Sequence, residues 1–162
     1  MASYTPEEYS RLLDRFASGL PEAMARATFV AAQQVEGEIL LRIFNDSGTE
    51  DVNGSTRQYK SKSHIKKREM NSPALQVGVV DLIFTGNLLA SPMLFEKKSS
   101  VDLVITGERS VGNQTVENWK IARGNEEYFP SKKVFEASAD EDANARKVFA
   151  LEITKYVNKF FN

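Results

Sequence analysis

The sequence predicts an α+β domain: long N-terminal helices, a small mainly antiparallel sheet and a C-terminal amphipathic helix packed on the sheet. Three observations predict it. Apolar residues recur at helical spacing over 5–44, strand-like apolar runs broken by Gly, Pro and Ser fill 74–107, and helical spacing returns over 139–162. Helices, then strands, then a helix leave no parallel crossover pattern. With 162 residues, 41% hydrophobic and 27% charged, the chain reads as one folding domain over 1–162. Its parts are a helical 1–44, a polar loop and basic segment at 45–73, a sheet region at 74–135 and the C-terminal helix.

In the first part, Thr5 is placed to cap, Pro6 suits the first helical position and Glu8 completes a capping box. Gly19-Leu20-Pro21 then predicts a break, giving a short helix over 5–18 and a longer one over 21–44. Ala27, Val30, Ala31, Val35, Ile39, Leu40 and Ile43 form the core stripe of the second. The stretch 45–58, rich in Gly, Asn, Asp, Ser and Thr, is a surface loop. After it, Arg57, Lys60, Lys62, Lys66, Lys67 and Arg68 precede the first acid, Glu69, in a short helix or an arm.

In the sheet region, "LQVGVVDLIF", "PMLFEKK" and "VDLVIT" read as strands, while "TVENWKIARGNEEYFP" fits strand and helix equally. In the last helix, acids crowd the first turn and lysines the last. Ala145, Val148, Phe149, Glu152, Ile153, Tyr156, Val157 and Phe160 fall near one face.

Composition excludes several functions. Without cysteine there is no disulfide framework, thiolate zinc site or cysteine nucleophile, and one histidine, His64, cannot make an imidazole cluster. A net charge of -1 gives no global attraction to nucleic acid or to an anionic membrane. Glu7, Glu8 and Asp14 stand where a signal peptide would be basic and then apolar, and no apolar run reaches the ~20 residues of a membrane span. The expectation is a reducing cytosol, left only inside an assembly. Three Asn-x-Ser/Thr triplets, at Asn45, Asn53 and Asn113, read as turns.

Candidate sites follow from local chemistry. The heptapeptides "VDLIFTG" at 80–86 and "VDLVITG" at 101–107 share no flanking similarity, so they read as two strands that each end in a Thr-Gly turn. Asp81 with Glu96 and Lys98 satisfies the loose Asp, then acid-x-Lys, pattern of magnesium-dependent nucleases. The bland alternative makes Glu96-Lys97-Lys98 the polar end of an edge strand. Arg57, Tyr59, Lys60, Lys62, Lys66, Lys67 and Arg68 are interface or DNA-contact candidates, with Tyr59 available to stack on a base. In a near-neutral chain, contact with an acidic protein surface or plain solvation ranks ahead of nucleic acid. Asp140-Glu141-Asp142 oppose a helix dipole and need no ion. Trp119, Phe129 and Phe135 read as core anchors or interface residues. No catalytic, metal or cofactor-binding residues are assigned.

"YKSKSHIKKR", "VDLIFTGNLLAS", "KIARGNEEYFP" and "KKVFEAS", in that order between two helical regions, resemble bacteriophage virion proteins of the tail-completion and head-to-tail connector group. The family's Thr-Gly-x-Leu-x-x-Ser element is matched by Thr85, Gly86, Leu88 and Ser91. Its later segment is matched by Ala122, Gly124, Glu126, Glu127, Phe129, Pro130 and Phe135. The match covers 59–138, and the second heptapeptide and the "ERSVGNQTVENW" insertion fall outside the pattern. The resemblance implies a structural virion protein of the neck, made in the bacterial host cytoplasm, without catalysis or cofactor. It implies a homo-oligomer ring of six or twelve copies in that family, meeting portal or head-closure and tail-terminator or tail-tube proteins. DNA in the channel is a further implied neighbour. A magnesium-dependent nuclease and a small DNA-binding protein are the alternative readings.

Overall fold

The computed structural model describes residues 4–43, 53–54, 62–71, 92–98, 100–111, 113–128 and 135–161. Among them, four helices and four strands follow in the order α1 (Pro6–Ile43), α2 (Lys62–Asn71), β1 (Pro92–Glu96), β2 (Val101–Ile105), β3 (Glu108–Val111), β4 (Gln114–Glu117), α3 (Asn118–Tyr128) and α4 (Ala139–Phe161). The expected α+β class holds, with its long N-terminal helix, small antiparallel sheet and C-terminal amphipathic helix.

The predicted capping box forms. The Thr5 N–H donates to Glu8 Oε2 at 2.8 Å and the Glu8 N–H donates to Thr5 Oγ1 at 3.3 Å, so two of the helix's open donors are satisfied. The Thr5 backbone N–H, and after it the Thr5 side chain, hold the Glu8 carboxyl below its ordinary value.

Against the sequence expectation, α1 runs without a break through Gly19-Leu20-Pro21. Pro21 has no N–H, so the Ala17 carbonyl lacks its helical donor. Packing against α4 outweighs that loss. The Tyr156 hydroxyl donates to the Phe16 carbonyl at 2.6 Å, and the Phe16 ring meets those of Tyr156, Phe160 and Phe161 at centroid distances of 5.3, 5.6 and 5.3 Å. Gly19 makes room for this contact. A Cβ on it would lie 2.6 Å from Tyr156 Oη.

α1 and α4 run antiparallel, because Arg42 meets Glu141 at one end of the pair and Phe16 meets Tyr156 at the other. Of the predicted α1 stripe, Ala27, Ala31, Ile39 and Ile43 are buried and Val30, Val35 and Leu40 half-buried, while all eight residues predicted on the α4 face are half-buried. Ile39 and Ile43 centre the core, with Val35, Leu103 of β2 and Phe135 packed on them. α4 makes its extended contact with α1, and β1 and β2 pack against the same helix, so α1 joins the C-terminal helix to the sheet.

β1 pairs antiparallel with β2, from Pro92↔Ile105 to Glu96↔Val101, and the Lys97 N–H closes the turn onto the Ser100 carbonyl at 2.8 Å. Thr106-Gly107 then turns the chain, with Gly107 at φ +75°. The "insertion" that follows is a second hairpin, β3 paired with β4, turning at Asn113. Its two ends meet again: the Asn118 N–H donates to the Gly107 carbonyl at 3.0 Å and Asn118 Nδ2 to the Thr106 carbonyl at 3.0 Å. The ambiguous segment thus divides, strand through Glu117 and helix from Asn118. The second heptapeptide is a strand with a glycine turn; the first, 80–86, lies outside the described residues.

The notch at Gly19 gives a double-mutant expectation. Gly19→Ala destabilises the wild-type chain by about 1 kcal/mol, because the Tyr156 hydroxyl must leave its acceptor. In a Tyr156→Phe background the nearest ring atom is 3.4 Å from the new Cβ. There the same substitution is neutral or stabilising through helix propensity. Urea unfolding of the four proteins measures the change of sign.

Candidate interaction surface

The basic segment becomes helix where it is described. α2 carries Lys62 and Lys66 one turn apart and exposed, with Ile65 half-buried and Met70 exposed. Lys67 and Arg68 lie on the same helix, whose first turn has no acid. Arg57, Tyr59 and Lys60 lie outside the described residues. Lys62 and Lys66, with Glu69 the one acid on the helix, leave an exposed and mainly cationic element suited to an anionic neighbour.

Of the family-like residues, Ala122 and Phe135 belong to the core. Ala122 is buried on α3, with Gly124 and Glu126 on the same helix, and Phe135 packs on the Ile39 and Ile43 core. Ala122 and Phe135 are framework positions. Thr85, Gly86, Leu88, Ser91 and Phe129 lie outside the described residues. Trp119 departs from the core role: it is 42% exposed, with Lys120 Nζ 5.4 Å from its ring centroid. It sits in the first turn of α3, just past the buried Asn118, and so on the outward side of that junction.

Of the nuclease candidates, Glu96 and Lys98 are exposed at the β1–β2 turn, and Asp81 lies outside the described residues. Lys97 is ion-paired with Asp102 across the hairpin. Among the described residues no group of three or more His, Asp or Glu side chains is placed to hold a metal, and no helix is long and apolar enough to cross a membrane.

A surface the sequence reading missed is apolar. Alternation along the first hairpin turns Leu94 and Leu103 inward and leaves Met93, Phe95 and Val104 exposed, with Met93 directly opposite Val104. A second apolar edge, Tyr9, Leu13 and Met24, is exposed along the N-terminal half of α1. Strand alternation could have found the first patch: "PMLF" is apolar on both faces, and Val104 of "VDLV" stands on the outer one beside Asp102.

The other missed feature is an ion pair spanning most of the chain. Arg42 Nε donates to Glu141 Oε1 at 2.9 Å and Arg42 Nη2 to Glu141 Oε2 at 3.2 Å, with both side chains about nine-tenths buried. Glu141 also closes a capping box on Ser138: the Ser138 N–H donates to Glu141 Oε2 at 2.6 Å and the Glu141 N–H donates to Ser138 Oγ at 3.2 Å. Arg42 Nη2 reaches the Glu136 carbonyl at 2.8 Å as well. Burial pushes the Glu141 carboxyl up, but hydrogen bonds from Arg42 and from Ser138 outweigh it and set the net value below the ordinary one. This glutamate does more than oppose the helix dipole, the role its sequence position alone predicts.

No protein-family model, curated protein or solved structure matches this chain.

Because Glu141 titrates lower when folded, the unfolded chain takes up its proton first as pH falls. The pair's contribution is complete above the ordinary glutamate range and is lost below it, through the lowered folded-state value. Glu141→Gln destabilises by about 3 kcal/mol at neutral pH, since Arg42 is left buried beside a neutral amide. Urea midpoints of both proteins at neutral and acid pH should converge in acid.

Proposed function

We propose that this chain is a structural virion protein of a tailed bacteriophage, acting in the neck or head-to-tail connector by assembly into a ring. The observation that carries the reading is the pair of separate exposed apolar surfaces, the outer face of the β1–β2 hairpin and the N-terminal edge of α1. A ring is built from heterologous contacts, in which one face of a subunit meets a different face of the next. Two dissimilar apolar patches on one subunit suit that arrangement.

The motif resemblance supports the same reading. Ala122 and Phe135 occupy framework positions, consistent with a shared scaffold rather than a shared reaction centre. The charge distribution agrees as well: net charge is -1, yet α2 presents exposed lysines, a local patch for an acidic neighbour or for DNA in the channel. Six or twelve copies, with portal or head-closure protein on one side and tail-terminator or tail-tube protein on the other, complete the proposal.

Mass spectrometry of purified virions should find the protein in stoichiometric amount, and electron microscopy should place it between head and tail. Its absence from particles sinks the proposal. Light scattering of a mixture with the portal or head-closure protein should show a ring, and Phe95→Glu with Val104→Glu should reduce its formation at least tenfold.

A further inference from the structure

We infer that the groove between the N-terminal half of α1 and the C-terminal half of α4 docks an acidic, partly apolar segment of a partner protein. This goes beyond the ring proposal and does not rest on it. The groove encloses about 700 Å³ and draws its walls from both helices. Arg15 and Arg26 stand on one face of α1, three turns apart, and Lys155 and Lys159 stand one turn apart on α4. Four cations thus face a cleft that holds two carboxylates, Glu22 and Glu152, in a chain whose net charge is -1.

The charges are unevenly committed. Lys155 is paired with Glu152 at 2.5 Å. Among the described residues, Arg15, Arg26 and Lys159 have no ion-pair partner. The antiparallel register fixed by Gly19 against Tyr156 puts Arg15 with Lys159 toward one end and Arg26 toward the other. Between the ends, Gly19, Ala23 and the half-buried rings of Tyr156 and Phe160 supply apolar surface, beside Ser18 and the exposed Glu22 on α1. Small residues on α1 open the space and aromatic ones on α4 line it.

Cations at both ends and an apolar middle complement a segment with acids flanking an apolar side chain. From Arg15 to Arg26 the helix rises about 16 Å, the reach of about five extended residues. A polynucleotide is a poorer match, because its regularly repeated phosphates would meet the exposed Glu22 carboxylate inside the groove. A peptide can place its charges only where the cations are.

Fluorescence anisotropy of the full chain with a labelled five-residue peptide carrying Glu at both ends and Leu between them tests this directly. Saturable binding is expected, weakened about tenfold or more by Arg15→Glu with Arg26→Glu. Lys147→Glu, on α4 but outside the groove lining, should leave it unchanged. Circular dichroism checks that each variant folds; if the reversal does not, Arg15→Gln with Arg26→Gln decides, with at least a threefold loss expected. The inference is overturned by absence of binding, by equal affinity in the groove variants, or by an oligothymidylate probe that binds more tightly than the peptide and competes with it.

Discussion

The seam between α1 and α4 is the contact on which the rest of the described structure depends. A 38-residue helix with a proline inside has little stability of its own, and most helical stability in proteins comes from packing of an apolar face. Here that packing is fixed at two points. Where α1 ends and α4 begins, a bidentate guanidinium–carboxylate pair joins Arg42 to Glu141; toward the opposite end of the helix pair, the Tyr156 hydroxyl sits in the notch over Gly19 and bonds the Phe16 carbonyl. The first fixes register by charge and the second by shape.

Arg42 also organises how the chain enters α4. Its guanidinium holds the Glu136 carbonyl and the Glu141 carboxylate together, while Phe135 inserts beside Ile39 and Ile43 and Ser138 caps the helix. Within a few residues the chain passes from core contact to helix start, each step tied to the last turn of α1. The sheet reaches the same place through Leu103. The α1 patch and the groove are therefore built on the same helix against which the hairpin bearing the other patch packs.

Local chemistry was legible wherever it decided the outcome. The Thr5 and Glu8 capping box, the half-buried face of α4 and the strand 101–105 with its glycine turn all follow from neighbours in sequence. Pro21 misled because propensity describes an isolated segment, and the contact that holds α1 together comes from Tyr156, far along the chain. Arg42 and Glu141 were invisible as a pair for the same reason. The Ser138-to-Glu141 spacing is that of a capping box, but three adjacent acids at a helix start equally satisfy the dipole, which hides the box among them. The apolar outer face of the first hairpin was hidden by residue type, since Met93 and Phe95 look like core until the register shows which side they take.

The second hairpin has a consequence for how such a chain varies. Because residues 107 and 118 are hydrogen-bonded to one another, everything between them leaves the framework and returns to the same point. The main path, β2 into α3, is already closed beneath it. Length and composition at the Asn113 tip are thereby uncoupled from the seam, and the hairpin is the place where related chains can diverge, or where a reporter can be grafted, without disturbing the support.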